Sequence, residues 1–127
     1  MQPALFPREI TPEAVLHALV RRVGPANGIS ATDLAFAITG RTCAADERRL
    51  RQVIEQLRLE GHGICATPES GYHMAANAED LNRTCVFLVK RLVSTARQVA
   101  AMKRVALPDL YGQLGLPTPE DNQGNPQ

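Results

Sequence analysis

Arg48 and Gln52 stand one helical turn apart in an arginine-rich stretch, AADERRLRQVIEQLRLEG, over residues 44–61. These are the side chains that read base edges through paired hydrogen bonds, arginine with guanine O6/N7 and glutamine with adenine N6/N7. Arg41, Arg49, Arg51 and Arg58 lie around them and are better suited to phosphate oxygens. Thr42, with Arg41, sits in the turn just before the helix. Leu50, Val53, Ile54 and Leu57 recur at helical spacing and define the face that must be buried. With that stripe inward, Arg48, Gln52 and Glu55 point away from the core, Arg51 lies at its edge and Arg49 emerges on the other flank. A plainer reading competes: a solvated face whose arginines pair with Asp46, Glu47 and Glu55, the last of which would repel phosphate.

The elements that must position this helix can be read upstream and downstream. Pro3 and Pro7 make residues 1–10 an extended arm. Thr11 is an N-cap, Pro12 the first helical residue and Glu13 a first-turn acid, with Ile10 and Val15 spaced as a hydrophobic staple. A first helix is expected to reach about Arg22, burying Val15, Leu16, Leu19, Val20 and Val23. Asn27-Gly28 marks a turn and Ile29 a minimal strand. Ser30 caps a second helix over about 31–39, closed by Gly40, and the arginine-rich third helix spans about 44–60. Residues 63–66 and 72–75 read as two short strands joined by the turn Thr67-Pro68-Glu69-Ser70-Gly71. Alternation puts Ile64, Tyr72 and Met74 on one face, expected to be the core, and Cys65 and His73 on the other. His62 and His73 then flank the hairpin, where His73 is a candidate phosphate or minor-groove contact.

Three helices and a hairpin in this order bring a resemblance into view. Leu57-Arg58-Leu59-Glu60-Gly61-His62-Gly63-Ile64-Cys65, a short loop and Gly71-Tyr72-His73-Met74-Ala75 resemble the helix end and wing of bacteriophage and prophage winged-helix proteins. The wing is also similar to that of the biotin-repressor DNA-binding domain. The resemblance implies a mainly α fold with a small β-hairpin, a winged helix-turn-helix followed by a long C-terminal helix. It implies that Arg48, Arg49 and Gln52 are recognition-helix positions of a cytoplasmic DNA-binding protein, most simply a transcriptional regulator. The turn from Gly40 to Ala45 is longer than in those proteins, so the register of the contacts is open by one or two positions.

Beyond the hairpin, Asn77 to Asp80 cap a long helix expected over 78–105. Leu81, Cys85, Leu88, Leu92, Thr95, Val99 and Met102 alternate spacings of four and three, a stripe of about three heptads. Val86, Val89, Val93, Ala96 and Ala100 widen it, and Arg83, Lys90, Arg97 and Arg104 recur every seven residues on the outer face. The expectation is a homodimer through Leu81, Cys85, Leu88, Leu92, Val99 and Met102, bound to double-stranded DNA. An adaptor or replication accessory factor that offers this helix to a host or phage protein is the alternative. Residues 106–127, rich in proline and polar residues, read as a tail in which Leu110, Tyr111, Leu114 and Leu116 could dock locally. The organisation expected is an arm (1–10), a winged-helix domain (11–76), a dimerisation helix (77–105) and a tail (106–127).

The totals bound these readings. The chain has 127 residues and a formal net charge of +1, so the whole molecule has no strong basic footprint. All 14 basic residues lie in the first 105 positions, with 10 of the acids, a mild bias toward phosphate contact. Cys43, Cys65 and Cys85 form no CxxC pair and read as reduced thiols. Cys65, His73 and Cys85 do not match the usual zinc spacings, so neither a metal nor another cofactor is expected. No secretory leader or membrane-length apolar run is apparent, which makes a cytoplasmic protein the expectation. No P-loop, GxSxG, HExxH or dinucleotide fingerprint occurs, and no catalytic activity is expected.

Overall fold

The structure, a computed structural model, describes residues 9–115. In chain order it contains α1 (Pro12–Leu19), a 3-10 turn (Pro25–Asn27), α2 (Ala31–Thr39), α3 (Ala44–Leu59), β1 (Ile64–Thr67), β2 (Gly71–Met74), α4 (Ala78–Lys103) and α5 (Leu107–Leu114). The architecture is mainly helical, with one antiparallel two-stranded hairpin and a long helix toward the C-terminus. Contacts divide the chain into two compact units, Met1–Cys85 and Val86–Gln127, and the division falls inside α4.

In the first unit, local chemistry sets the helix ends. The Thr11 hydroxyl accepts from the Ala14 amide at 3.1 Å, and Pro12 costs no hydrogen bond at the first helical position. Ile10 and Val15, the expected staple, are both buried. Ser30 accepts from the Asp33 amide at 3.1 Å, and Gly40 closes α2 in the left-handed region with φ 78°. Helix α1 stops at Leu19, not at Arg22, and Val20 and Val23 are exposed. Val23 instead forms a parallel bridge to Met74. The core is Ile10, Val15, Leu19, Leu34, Ala35, Ile38, Leu50, Val53, Ile54, Leu57 and Ile64, drawn from α1 and the residue pair before it, α2, α3 and β1.

The hairpin pairs Ile64 with Met74 and Cys65 with His73. Ile29 joins it as a one-residue strand, its N–H and C=O both bonded to Tyr72 at 2.9 and 2.8 Å. Two glycines permit that approach. A Cβ on Gly28 would stand 1.7 Å from the Ser70 carbonyl oxygen, and one on Gly71 2.6 Å from that of Ile29. The expected division of the hairpin into a core face and a solvent face does not hold. Ile64 is buried and Tyr72 and Met74 are half-buried, but Cys65 and His73 on the opposite face are buried too. The first turns of α4 account for this: buried Thr84 accepts from the Ala66 amide at 3.2 Å, and buried Asp80 accepts from the Ala76 amide at 2.9 Å. Those bonds explain why the start of α4 belongs to the first unit.

The second unit is the remainder of α4 with α5. Ala96 and Ala100 pack with Leu110 and Tyr111, and Val99, Val105 and Leu107 seal the edge. The turn between the helices uses Arg104 at φ 58°, while the Val105 amide reaches back to the Ala100 carbonyl at 3.0 Å. This is the bond pattern of a left-handed helix cap, made by a residue with a side chain where glycine is preferred. The tail expected from residue 106 onward is therefore a helix over Leu107–Leu114, and residues 116–127 lie outside the described residues. So does the expected arm, apart from Glu9 and Ile10.

Candidate nucleic-acid interface

Helix α3 presents two faces of different character. Leu50, Val53, Ile54 and Leu57 are buried, while Arg48, Gln52 and Glu55 are exposed on the opposite side and Arg49 is exposed on one flank. Among the described residues, Arg48, Arg49 and Gln52 have no hydrogen bond or ion pair, so their donors are open to an external acceptor. Thr42 is also exposed, at the turn leading into the helix.

The carboxylates of the same helix are largely engaged. Asp46 is buried and takes a two-pronged contact from Arg41, Nε to Oδ2 at 2.7 Å and Nη2 to Oδ1 at 3.1 Å. That contact, with smaller contributions from Cys43 and Thr39, holds the Asp46 carboxyl below the ordinary aspartate range, against the opposing effect of burial. The same pair raises the Arg41 guanidinium pKa. Glu47 accepts from the Thr32 hydroxyl at 3.2 Å, tying α3 to α2, and its other oxygen is 3.9 Å from Arg51. Glu55 is left as an exposed acid on the Arg48 side.

Three positions expected to touch DNA have other duties here. Arg41 is committed to Asp46, although half of its side chain remains exposed. Arg58 donates from Nε to the Ile64 carbonyl at 2.8 Å and is largely desolvated, which lowers its pKa. Through Nε it fastens the end of α3 to the start of the hairpin, so Arg58 is not a free donor group like Arg48 and Arg49. His73 is only 2% exposed, with Nδ1 3.1 Å from the Met74 carbonyl, so it cannot meet a phosphate on the surface. The hairpin turn itself carries Glu69 and no lysine or arginine. Arg48, Arg49 and Gln52 thus remain as an open set, with Arg51 and Thr42 at its margins.

The expected dimer residues are distributed unevenly. Leu81, Cys85, Leu88, Leu92 and Met102 are exposed, whereas Val99 is partly covered in the α5 cluster. Sequence reasoning missed α5, although its signals are present: Pro108 and Asp109 in the first turn, Leu110, Tyr111 and Leu114 on one side, and Gly115 as a left-handed cap at φ 74°. It also missed Thr84 as a hairpin contact, because two polar residues four apart carry no sequence mark of burial. Among the described residues no group of three or more His, Cys, Asp or Glu side chains could hold a metal ion, and no helix is long and apolar enough to cross a membrane. Comparison of the chain with family models, curated proteins and solved structures returns no match.

Proposed function

We propose that the chain binds double-stranded DNA as a winged helix-turn-helix, with α3 in the major groove and β1–β2 as the wing. Arg48 and Gln52 read base edges, and Arg49 and Arg51 neutralise phosphates. One observation carries the reading. Arg48, Arg49 and Gln52 stand exposed and unpaired on the outer face of a helix whose inner face is fully buried, while Asp46 and Glu47 are drawn into contacts within the chain. The wing contributes shape more than charge, because its turn has an acid and no base. The task that follows from the resemblance is transcriptional regulation of phage or bacterial type.

The test is affinity for duplex DNA at two salt concentrations, with Arg48→Ala and Gln52→Ala beside the parent. Binding is expected to weaken steeply with salt, as it does when several phosphates are neutralised. On a selected site each substitution is expected to cost ~1–3 kcal/mol, with a smaller loss on random duplex. No binding to random duplex at low salt, or variants that match the parent on the selected site, would overturn the assignment of α3.

A further inference from the structure

Within the second unit, α4 exposes Val86, Leu88, Val89 and Leu92 in two turns, at 37–56% of their full area. Four large apolar side chains this close together exceed the scattered exposure normal for a surface. Cations border the edges of the patch. Lys90 and Arg97 line a shallow groove on its Val86–Val89 side together with Val89, Val93, Ser94 and Gln98, and Arg91 stacks on Phe87 at 5.8 Å one turn along the helix. Lys90 and Arg97 have no hydrogen bond or ion pair among the described residues. Residues 86–115 contain five lysines and arginines and a single acid, Asp109 on α5.

We propose that this face of α4 is a docking site for an acidic, amphipathic segment of a partner protein. The apolar strip would receive the partner's aliphatic side chains, and Lys90, Arg91 and Arg97 its carboxylates. This inference does not depend on DNA binding by α3. Two observations disfavour a second copy of the chain, the occupant the heptad spacing suggests. Ala96, Val99 and Ala100 are already packed with α5, which leaves Leu81, Cys85, Leu88 and Leu92, about three turns of stripe and short of the roughly three to four heptads that mark a coiled-coil seam. Two copies would also bring cationic rims together with no carboxylates from α4 residues 86–103 to answer them. The apolar strip in turn disfavours a phosphate backbone, which has nothing to bury there.

The probe is a synthetic helical peptide of about 18 residues, long enough to hold a helix once docked, with a leucine face flanked by glutamates. Its counterpart carries lysines in place of the glutamates. Fluorescence anisotropy with the full chain is expected to show binding of the acidic peptide alone, weakening as salt rises. Lys90→Glu with Arg97→Glu should reduce that affinity at least tenfold, as should Leu92→Ser. Circular dichroism checks folding, and if the charge reversal perturbs it, Lys90→Gln with Arg97→Gln is measured against the same tenfold criterion. Equal binding of both peptides, or binding unchanged in these variants, would overturn the proposal. It would also fall if the parent sediments as a dimer that Leu92→Ser dissociates. Peptide binding seen only in Glu120→Gln with Asp121→Asn would assign the face to the chain's own terminus. Duplex DNA or phosphatidylserine vesicles bound through Lys90 and Arg97, with no peptide bound, would assign it to a phosphate surface.

Discussion

Leu50, Ile54 and Leu57 of α3 are at most 2% exposed, whereas Leu88 and Leu92 of α4 are 37% and 53% exposed. Both helices are amphipathic and both carry arginines. They differ in what surrounds each stripe. Around α3, two other helices and the hairpin close over Leu50, Val53, Ile54 and Leu57, and Asp46 and Glu47 find partners inside the same unit, while Leu59 and Glu55 stay exposed. Around the second half of α4 stands a single eight-residue helix, which covers Ala96 and Ala100 and leaves the preceding two turns bare. A hydrophobic stripe therefore specifies that something must cover it, not that its own domain does. In α3 the unfinished chemistry is polar and lies on the outer face, while in α4 it is apolar with a cationic rim.

The comparison is most exposed to a pair of truncations. Leu50→Ala removes a fully buried side chain and is expected to cost ~2–5 kcal/mol of stability. Leu92→Ala is expected to stay within about 0.5 kcal/mol of the parent, as surface substitutions do. Urea unfolding of the full chain followed by circular dichroism measures both. Comparable losses would mean that α4 is covered as fully as α3, and the contrast would collapse.

A smaller effect sharpens the distinction between arginines that hold the fold and arginines that face outward. Arg58→Met keeps the aliphatic stem but leaves the Ile64 carbonyl without its donor, an expected loss of ~1–3 kcal/mol. Arg49→Met, on the open face, should leave the unfolding midpoint in place. If the two variants unfold alike, Arg58 is not the tie between α3 and the hairpin. The smallest effect expected is at the α4–α5 turn. Arg104 occupies the left-handed region at φ 58°, where glycine is unstrained. Arg104→Gly is expected to stabilise the chain by ~0.5–1 kcal/mol, the relieved strain being partly offset by the added freedom of the unfolded chain. A lower unfolding midpoint in that variant would show that the Arg104 side chain does more than occupy the turn.

Much of the local structure is legible in the sequence. Thr11, Ser30 and Gly40 cap helices where their side chains or backbone freedom suggest, because capping is decided within three or four residues. The stripe from Leu50 to Leu57 identified the buried face of α3, and with it the outward direction of Arg48 and Gln52. Helix α5 was equally local in its signals, yet the prolines and glycines around it favoured a tail. The hairpin was located correctly, but its burial was not. Period-two alternation distinguishes the two faces of a strand without saying that both will be covered, and α4 covers the second one through Thr84.

By itself, the sequence determined where helices and strands form and which side of each is apolar, since propensity, capping and periodicity act over a few residues. It also determined that the basic residues are confined to the first 105 positions. The tertiary structure alone decided which arginines remain available. Arg41 is taken up by Asp46 five residues away and Arg58 by the carbonyl of Ile64 across the turn into the hairpin, while Arg48 and Arg49 are left open. It decided that His73 is interior and that the stripe of α4 is only half used. The physical reason is the same in each case. A side chain's hydrogen bonds and its exposure depend on which elements pack beside it, and a helix start at residue 78 that folds onto a strand at residue 64 has no signature in the spacing of either segment.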